Sequence, residues 1–286
     1  MTDTDETDHA RIYWKQGYLC PIPALTPEEA EKAKREFEAF ETLLASTSLP
    51  ENPAAYVRTN VEVLLPAADR IARDPRILDM VEKILGPNIM VWSSEFFVKE
   101  PKSDKIVSWH QDLTYWGLGE TDGEVTAWVA LSDVTRENGC MRFVPGSHTQ
   151  SIVAHTDTFA DDNLLSRGQE IACEVDEAKA VHIELRPGEM SLHHGRMFHA
   201  SGPNKSDMRR IALVIRYVKP QVKQHISDRD FAMLVRGANR EQNFIDFSPP
   251  PRTLCDEGLA LRREIMDERD KAYGAGAAEQ ITYADT

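Results

Sequence analysis

The chain has 286 residues, a formal net charge of −14, 41% hydrophobic residues and 28% charged residues. This composition is typical of a globular protein that is long enough to bury a sizeable core. Its apolar runs are all shorter than the ~18 residues of a membrane-spanning helix, and its acidity argues against binding to nucleic acid or to anionic lipid.

The first six residues are acidic and polar, without the basic start and the apolar stretch of a signal peptide. The four cysteines lie far apart and form no C-x-x-C pair. Widely spaced cysteines are more typical of reduced thiols than of a disulfide framework or a zinc site. We therefore expect a cytoplasmic protein without membrane or nucleic-acid partners.

Residues 1–10 are predicted to be disordered, and residues 11–86 to be mainly helical. Thr26 is a favourable N-cap because Pro27 follows at the first helical position and Glu29 at the capping-box position. This helix should run to about residue 45.

A second helix should begin after Asp74 and end at Gly86. Its apolar residues recur at helical spacing and form one stripe, which consists of Ile77, Leu78, Val81, Ile84 and Leu85.

Short strands separated by turns are predicted for residues 87–220. Segments rich in β-branched and aromatic residues alternate with Gly, Pro and Asn turn signals. The predicted strands are 89–98, 125–134, 141–144, 181–185, 189–192 and 211–218. No helical pattern separates them, so a mainly β sandwich or jelly roll with flanking α-helices is favoured over a parallel α/β sheet.

The rest of the chain is predicted to be a long loop at 154–180, suited to a lid, and a C-terminal loop and helix over 221–286. The helix should occupy residues 255–272. No internal repeat or linker divides the sequence, so we expect one domain over residues 1–286.

A His-x-Asp pair, His110 and Asp112, follows a strand-like run. On a strand, side chains two residues apart point to the same face. An imidazole and a carboxylate suit a divalent first-row metal, and one more histidine would complete the two-His-one-carboxylate triad of non-haem iron oxygenases.

Five downstream histidines could supply the third ligand: His182, His193, His194, His199 and His225. The first and last lie outside a strand-and-turn context, and at most one of the adjacent pair could face a metal from a strand. His199 precedes a turn that returns into the basic pair Arg209–Arg210. A guanidinium there suits the distal carboxylate of a 2-oxo acid.

Five segments in this order resemble the phytanoyl-CoA dioxygenase family, from about residue 8 to 220. They are His110-Gln111-Asp112, residues 127–133 (AWVALSD), 137–140 (ENGC), 144–148 (VPGSH) and 199–204 (HASGPN), followed by Arg209–Arg210. The resemblance implies a cupin-like double-stranded β-helix that uses Fe(II), 2-oxoglutarate and O2.

The resemblance also implies the role of individual residues. His110, Asp112 and His199 would be the iron ligands. The carboxylate-binding arginine of the family lies eleven residues after the distal histidine, which gives Arg210 rather than Arg209.

Two further positions correspond to cosubstrate contacts of the family. Ser201 would add a hydroxyl to the same carboxylate, and Trp128 would contact 2-oxoglutarate.

The activity implied is hydroxylation of a C–H bond of a small polar metabolite with release of succinate and CO2. Desaturation and halogenation are alternative outcomes of the same chemistry. Halogenases that resemble this family have Gly or Ala at the position of Asp112, so halogenation is disfavoured. A non-catalytic β-barrel binding module is the alternative from another class, and O2 uptake coupled to succinate release would distinguish it from an enzyme.

The substrate wall is predicted to include Gln111, Tyr115 and Trp116, with Arg142 and Arg216 as anion contacts. A zwitterion such as an aminoalkylphosphonate would use both the aromatic residues and the arginines. An acyl-CoA is disfavoured because the sequence has no basic cluster suited to the CoA phosphates.

Overall fold

The structure, a computed structural model, describes residues 3–158, 160, 162–165 and 168–274. The helices are α1 (Asp3–Gln16), α2 (Pro27–Ser46), α3 (Ala55–Arg58), α4 (Pro66–Ala72), α5 (Pro75–Leu85) and α6 (Asp256–Gly274). The strands are β1 (Tyr18–Pro23), β2 (Ile89–Lys99), β3 (Val107–His110), β4 (Glu124–Ala130), β5 (Met141–Phe143), β6 (His155–Thr156), β7 (Glu170–Ile171), β8 (Val181–Ile183), β9 (Glu189–His193), β10 (His199–Ser201), β11 (Arg210–Val218) and β12 (Met233–Arg236). Short 3₁₀ turns occupy Val61–Val63, Asp112–Thr114, Ser147–Thr149 and Glu177–Lys179.

Two antiparallel sheets form the centre of the fold. The larger has six strands in the order β1-β9-β4-β11-β2-β12, and the smaller has four in the order β3-β10-β5-β8. Strands β6 and β7 pair separately. This is the mainly β architecture with flanking helices that the sequence predicts, and the jelly roll implied by the resemblance is confirmed.

Strand β11 shows why the larger sheet is covered on both sides. Its odd-numbered residues pack with the helices in one apolar core, and they are Ile211, Leu213, Ile215 and Tyr217. Its even-numbered residues Ala212 and Val214 pack instead with side chains of the smaller sheet. Since side chains alternate along a strand, Arg210 and Arg216 also face the space between the two sheets.

The two helix starts predicted from the sequence are confirmed. The Thr26 hydroxyl accepts a hydrogen bond from the Glu29 amide at 3.2 Å, and the Glu29 carboxylate accepts one from the Thr26 amide at 2.7 Å. The Asp74 carboxylate accepts a hydrogen bond from the Arg76 amide at 2.9 Å. Both caps satisfy backbone donors that have no partner within the helix.

The N-terminal segment differs from the prediction of disorder over residues 1–10. Helix α1 begins at Asp3, and Tyr13 on this helix is fully buried. The helix contacts α5 and β1, so burial of its apolar residues compensates for a weak intrinsic preference. Residues 1–2 and 275–286 lie outside the described residues.

Several short elements were not predicted from the sequence. Strand β1 contains Pro21 and Pro23, which lack the amide donor, and it lies at the edge of the larger sheet, where proline is tolerated. Strand β3 corresponds to the strand-like run at the His-x-Asp pair, but β3 and β10 have only four and three residues, too few for a period of two to define their bounds. Helices α3 and α4 fall within the region 11–86 that was predicted to be mainly helical, although their own bounds were not predicted, and strand β12 was not predicted.

The segment 154–180, predicted to be a loop, contains the short pair β6 and β7 and a 3₁₀ turn. Strand β7 of this segment contacts β3 at the edge of the smaller sheet, where the Ser108 hydroxyl donates a hydrogen bond to the Gln169 carbonyl at 3.0 Å. The predicted C-terminal helix is α6, with bounds close to the expected residues 255–272.

The contact between α2 and the larger sheet should be important for stability. The rings of Phe37 and Phe96 stack with centroids 4.1 Å apart, and both side chains are buried. Phe37→Ala should lower the free energy of unfolding by about 3–5 kcal/mol because it leaves a cavity. Urea denaturation measures this loss.

Leu43→Ala, on the same helix but 40% exposed, is the matched control and should change the stability by about 0.5 kcal/mol or less. Similar losses for the two variants would contradict this account of the core.

Candidate active site

A cavity lies between the two sheets. The inner faces of β2, β4 and β11 supply one wall, and residues from β3 and β10 supply the opposite wall. Its lining residues are Arg58, Glu95, Phe97, Val107, His110, Gln111, Asp112, Trp116, Thr126, Trp128, Met141, Leu165, Gln169, His193, His199, Ala200, Ser201, Arg210, Val214 and Arg216.

Three potential metal ligands meet in this cavity. His110 ends β3 and His199 begins β10, and the antiparallel register places them directly opposite each other, with ring centroids 4.0 Å apart. The Asp112 Oδ1 lies 3.4 Å from His110 Nε2 and 3.8 Å from His199 Nε2. One ligand atom from each of the three residues lies within 4.8 Å of the others.

The backbone around Asp112 differs from the prediction that both residues of the pair lie on one strand. Strand β3 ends at His110, and Asp112 opens a 3₁₀ turn. The turn directs the carboxylate back towards the two imidazoles. The His-x-Asp spacing therefore brings the side chains together, although the turn rather than the strand alternation achieves it.

Backbone carbonyls fix the orientation of both imidazoles. The Nδ1–H of His110 donates to the Ser108 carbonyl at 2.9 Å, and that of His199 donates to the Met197 carbonyl at 3.0 Å. In each ring the lone pair is then on Nε2, which faces Asp112. Such support of the distal nitrogen is typical of metal-binding histidines.

The electrostatics of the three residues suit a divalent cation. Burial lowers the pKa of His199 well below its ordinary value, and the neighbouring His110 lowers it further. Burial would raise the pKa of Asp112, but its interactions with His199, His110 and His193 hold that pKa well below its ordinary value. The low pKa values of His199 and Asp112 mean that both groups lose their protons readily, as metal binding requires.

Arg210 lies in the same cavity with its side chain almost fully buried. It donates a hydrogen bond to the Gly139 carbonyl, and its guanidinium carbon lies 5.3 Å from the Trp128 ring centre. Burial lowers the pKa of Arg210 to about 10. Among the described residues it has no carboxylate partner, and its Nε and the Ser201 hydroxyl both lack hydrogen-bond partners.

These unpaired donors fit a carboxylate. A buried guanidinium without a counterion is energetically unfavourable unless an anion binds to it. The three positions predicted as cosubstrate contacts, Arg210, Ser201 and Trp128, line one cavity with the candidate metal ligands.

Arg209 faces the opposite side of the sheet, as the alternation predicts. Its guanidinium donates to Glu41 at 2.9 Å and to Glu100 at 2.8 Å. It therefore already has two carboxylate partners outside the cavity.

Two of the predicted substrate contacts, Trp116 and Arg216, line the cavity. The guanidinium carbon of Arg216 lies 4.9 Å from the Trp116 ring centre, so this face of the indole already contacts a cation. Gln111 also lines the cavity, but its side-chain amide donates to the Arg196 carbonyl at 3.0 Å and accepts from the Val153 amide at 2.9 Å. These bonds to the backbone give Gln111 a structural role.

The structure does not place Tyr115 and Arg142 on the cavity wall. On β5, Arg142 alternates with the inward-facing Met141 and Phe143, and its guanidinium forms an ion pair with Glu177 at 2.7 Å. The Tyr115 ring packs edge-on against His155, with centroids 5.8 Å apart. The prediction of both residues as substrate contacts is corrected by these positions.

Three titratable residues of the cavity lining, His193, Glu95 and Arg58, were not predicted as parts of it. His193 ends β9 and its Nε2 lies 3.7 Å from Asp112 Oδ2, whereas the adjacent His194 points away and contacts Asp122 at 3.1 Å. Because side chains alternate along a strand, only one of the two adjacent histidines was expected to face inward, but the alternation does not show which one. Glu95 is a charged residue in the largely apolar strand β2, and this contrast could have identified it as a site residue. No comparable feature of the sequence distinguishes Arg58 on the short helix α3.

Comparison with known proteins identifies the family of the chain. A sequence model of the family described as phytanoyl-CoA dioxygenase (PhyH) matches residues 13–212. The chain belongs to this family. Peroxisomal phytanoyl-CoA dioxygenase of Homo sapiens is 32% identical over 217 residues, which are 70% of this chain and 64% of the human protein.

Two other proteins are also similar to this chain. The solved structure of the apo form of ThoJ, a non-heme monooxygenase, is 33% identical, with a TM-score of 0.85, over 94% of this chain and 98% of ThoJ. A protein of Stutzerimonas stutzeri described as "Probable alpha-ketoglutarate-dependent hypophosphite dioxygenase" is 31% identical over 160 residues, 55% of each chain.

Members of the phytanoyl-CoA dioxygenase family are Fe(II)- and 2-oxoglutarate-dependent oxygenases that consume O2. The predictions of an enzyme, of its dioxygenase class and of these cofactors are confirmed. In the described part of the chain, no helix is both long and apolar enough to cross a membrane.

The position of His199 leads to a test of the metal site. His199→Ala removes one of three converging ligands, so the purified variant should retain less than about a tenth of the bound iron of the unmodified protein, since loss of ~1.4 kcal/mol already weakens binding tenfold. Metal analysis after dialysis measures it.

His225→Ala, which changes an exposed histidine outside the cavity, is the control and should retain full iron content. Equal iron in both variants would rule out His199 as a ligand.

Proposed function

We propose that the chain hydroxylates a C–H bond of a small polar metabolite, with His110, Asp112 and His199 holding Fe(II). The balanced reaction is R–H + O2 + 2-oxoglutarate → R–OH + succinate + CO2. The observation that supports it is one cavity that combines three converging metal ligands with a buried arginine lacking a carboxylate partner among the described residues.

Bound Fe(II) and 2-oxoglutarate would supply the oxidant that transfers one oxygen atom of O2 to carbon. The three ligands would hold the metal from one side and leave the other side for the cosubstrate and O2. Arg210 would bind the distal carboxylate of 2-oxoglutarate through its unpaired Nε, and Ser201 would donate its hydroxyl to the same carboxylate. Trp128 would form an apolar wall beside the guanidinium.

The cavity also excludes water from the reacting groups. The candidate ligands His110 and His199 are buried, and Val107, Phe97 and Val214 contribute apolar surface to the lining. A poorly hydrated site strengthens each charge-assisted contact and limits side reactions of a reactive intermediate with solvent.

For the substrate we propose a small polar metabolite with an anionic group. Arg216 is on the cavity wall, and one relative is named as a dioxygenase that acts on hypophosphite, a phosphorus oxyanion. A zwitterion such as an aminoalkylphosphonate belongs in the test set, but the contacts proposed for its ammonium group lack support. Tyr115 lies outside the cavity wall, and Arg216 already covers one face of Trp116.

The test of the reaction is O2 uptake with a panel of carboxylates, phosphonates and their amino derivatives. A substrate should couple O2 consumption to succinate formation in a ratio of about one, as the balanced reaction requires. Full uptake by His199→Ala, or no succinate with any compound, would refute the proposed function.

The role of Arg210 leads to a quantitative prediction. A charge-assisted hydrogen bond to a carboxylate contributes about 1.5–3 kcal/mol. Arg210→Met should therefore raise the KM for 2-oxoglutarate by roughly ten- to several-hundred-fold, since ~1.4 kcal/mol is tenfold. Iron content should stay close to normal.

Arg209→Met is the control on the opposite face of the sheet. It breaks partly exposed ion pairs with Glu41 and Glu100, which contribute about 1 kcal/mol or less to stability, and it should leave this KM unchanged. If Arg209 carried the effect and Arg210 did not, the assignment of the carboxylate-binding arginine would be wrong by one residue.

Asp112→Gly tests the carboxylate ligand. The variant keeps both imidazoles but loses the only negative ligand of the three, so hydroxylation should fall at least ~100-fold, as losses of this size follow removal of a group required in the transition state. Product analysis in excess chloride should show little or no halogenated product, because halide binding also requires a suitable pocket. Hydroxylation at the normal rate would show that Asp112 is not a ligand.

A further inference from the structure

We propose that His155 is a positioning residue of the metal site, which holds the turn after His110 in the conformation that directs the Asp112 carboxylate into the cavity. The imidazole does so by accepting a hydrogen bond from the Gln111 main-chain amide at 3.1 Å. The inference rests on the proposed function, since it concerns the same Fe(II) site of His110, Asp112 and His199.

The turn that carries Asp112 depends on contacts from outside it. Strand β3 ends at His110, so the amide of Gln111 lies beyond the strand, and the 3₁₀ turn Asp112–Thr114 has no side-chain cap. Gln111 is fully buried, and a buried amide without an acceptor is energetically unfavourable. The structure provides the acceptor from another segment, since it is the Nε2 atom of His155 on β6.

The hydrogen bonds of His155 fix its tautomer. Because a main-chain amide only donates, the Nε2 atom of His155 must carry the lone pair that accepts from Gln111. The ring proton is therefore on Nδ1, which donates to the Val153 carbonyl at 2.8 Å. The Tyr115 ring packs edge-on against the imidazole, with centroids 5.8 Å apart. These contacts hold the acceptor in one orientation towards the turn.

The side chain of Gln111 connects the same turn to the same segment. Its oxygen accepts from the Val153 amide at 2.9 Å, and its nitrogen donates to the Arg196 carbonyl at 3.0 Å. Val153 and His155 thus contact both the side chain and the main chain of Gln111. Since Asp112 is the next residue, these contacts fix the main chain from which its carboxylate extends.

Loss of the His155 acceptor should alter the geometry of the ligands. The Gln111 amide would lack a partner unless the main chain rotated, and such a rotation would move the Asp112 Oδ1 away from its position 3.4 Å from His110 Nε2. Partners that orient metal ligands commonly contribute about ten- to a hundredfold to metal affinity. Because His155 acts through one peptide group, we expect an effect at the lower end of this range.

Metal binding measures this role without turnover. Mn(II), a paramagnetic substitute for Fe(II), is titrated into the metal-free protein with saturating 2-oxoglutarate, and free Mn(II) is followed by electron paramagnetic resonance. His155→Leu, which lacks an acceptor, should raise the Kd for Mn(II) about tenfold or more. His155→Gln has a side chain of similar size to leucine but keeps an acceptor oxygen, so its Kd should stay within about threefold of that of the unmodified protein.

His148→Leu is the matched control. His148 is also buried, and its Nε2 also contacts a main-chain group, the Trp14 carbonyl on α1, at 3.1 Å. The control variant should melt at a lower temperature because it loses a buried hydrogen bond, but its Kd for Mn(II) should not change. This result separates a general loss of stability from a loss of ligand geometry.

Gln111→Leu is a second test variant, which serves also where His155→Leu does not fold. It keeps the main-chain amide that donates to His155 but removes the side-chain contacts with Val153 and Arg196. It should raise the Kd for Mn(II) by about tenfold, since the same turn loses support.

Several results would overturn the proposal. A Kd for Mn(II) in His155→Leu equal to that of the unmodified protein would do so and leave the proposed ligands in place. Equal weakening in His155→Leu and His155→Gln would show that the acceptor atom is not what matters. Failure of the unmodified protein to bind Mn(II), or full binding by Asp112→Gly, would refute the metal site and this inference with it. The expected variant pattern without succinate formation from any substrate would support the role of His155 and refute the proposed hydroxylation.

Discussion

The register of β11 between β2 and β4 is the constraint on which both the core and the cavity depend. All nine residues of β11 pair with β2, and seven also pair with β4. A shift by one residue would exchange the two faces of the strand. It would place Arg210 and Arg216 against the helices and expose four large apolar side chains to the cavity. Such a shift would break the hydrogen bonds of β11 with the strands on both sides, so it is energetically unfavourable. The apolar packing on one face of β11 therefore fixes the position of the charged residues on the other face.

That register brings like charges together in a poorly hydrated space. Arg210 is paired in register with Lys99, and both side chains are almost fully buried. Burial, followed by the charge of Arg210, lowers the pKa of Lys99 to about 6. The depressed pKa values of Lys99 and Arg210 mean that their protonated forms are less stable in the folded protein than in water. A dianionic cosubstrate bound beside them would stabilise their protonated forms. The cost of burying these two positive charges should therefore favour the binding of an anion at this end of the cavity.

The residues that we propose for the metal and the cosubstrate could be chosen from the sequence, because they fall in short motifs that resemble those of the family. His199, Ser201 and Arg210 fall within twelve residues, and His110 and Asp112 are two apart. Residues with such short spacing can lie close together in the structure even when the backbone conformation between them is predicted wrongly. Asp112 is an example, because it lies in a 3₁₀ turn and not on the predicted strand. The prediction failed at Arg142 because a three-residue strand is too short to reveal its phase, and the side chain faces outward.

The contacts that join Arg58, Glu95 and Arg216 could not be predicted in the same way. Arg58 and Glu95 are 37 residues apart, and Glu95 and Arg216 are 121 residues apart. Only the pairing of β2 with β11 and the packing of α3 on β2 bring them together. Arg216 was expected to contact an anion, but nothing in its local sequence indicated the contact with Glu95.

This contrast shows which features of the cavity can be inferred from family membership. The residues that we propose as metal and cosubstrate contacts lie in short motifs, which can be kept as units when the rest of a sequence changes. Arg58, Glu95 and Arg216 instead lie in three separate elements, so substitution at any one of them changes the charged groups on the cavity wall. Two members of the family with the same oxidative chemistry can thus differ in the charged side chains that their cavities present to a substrate.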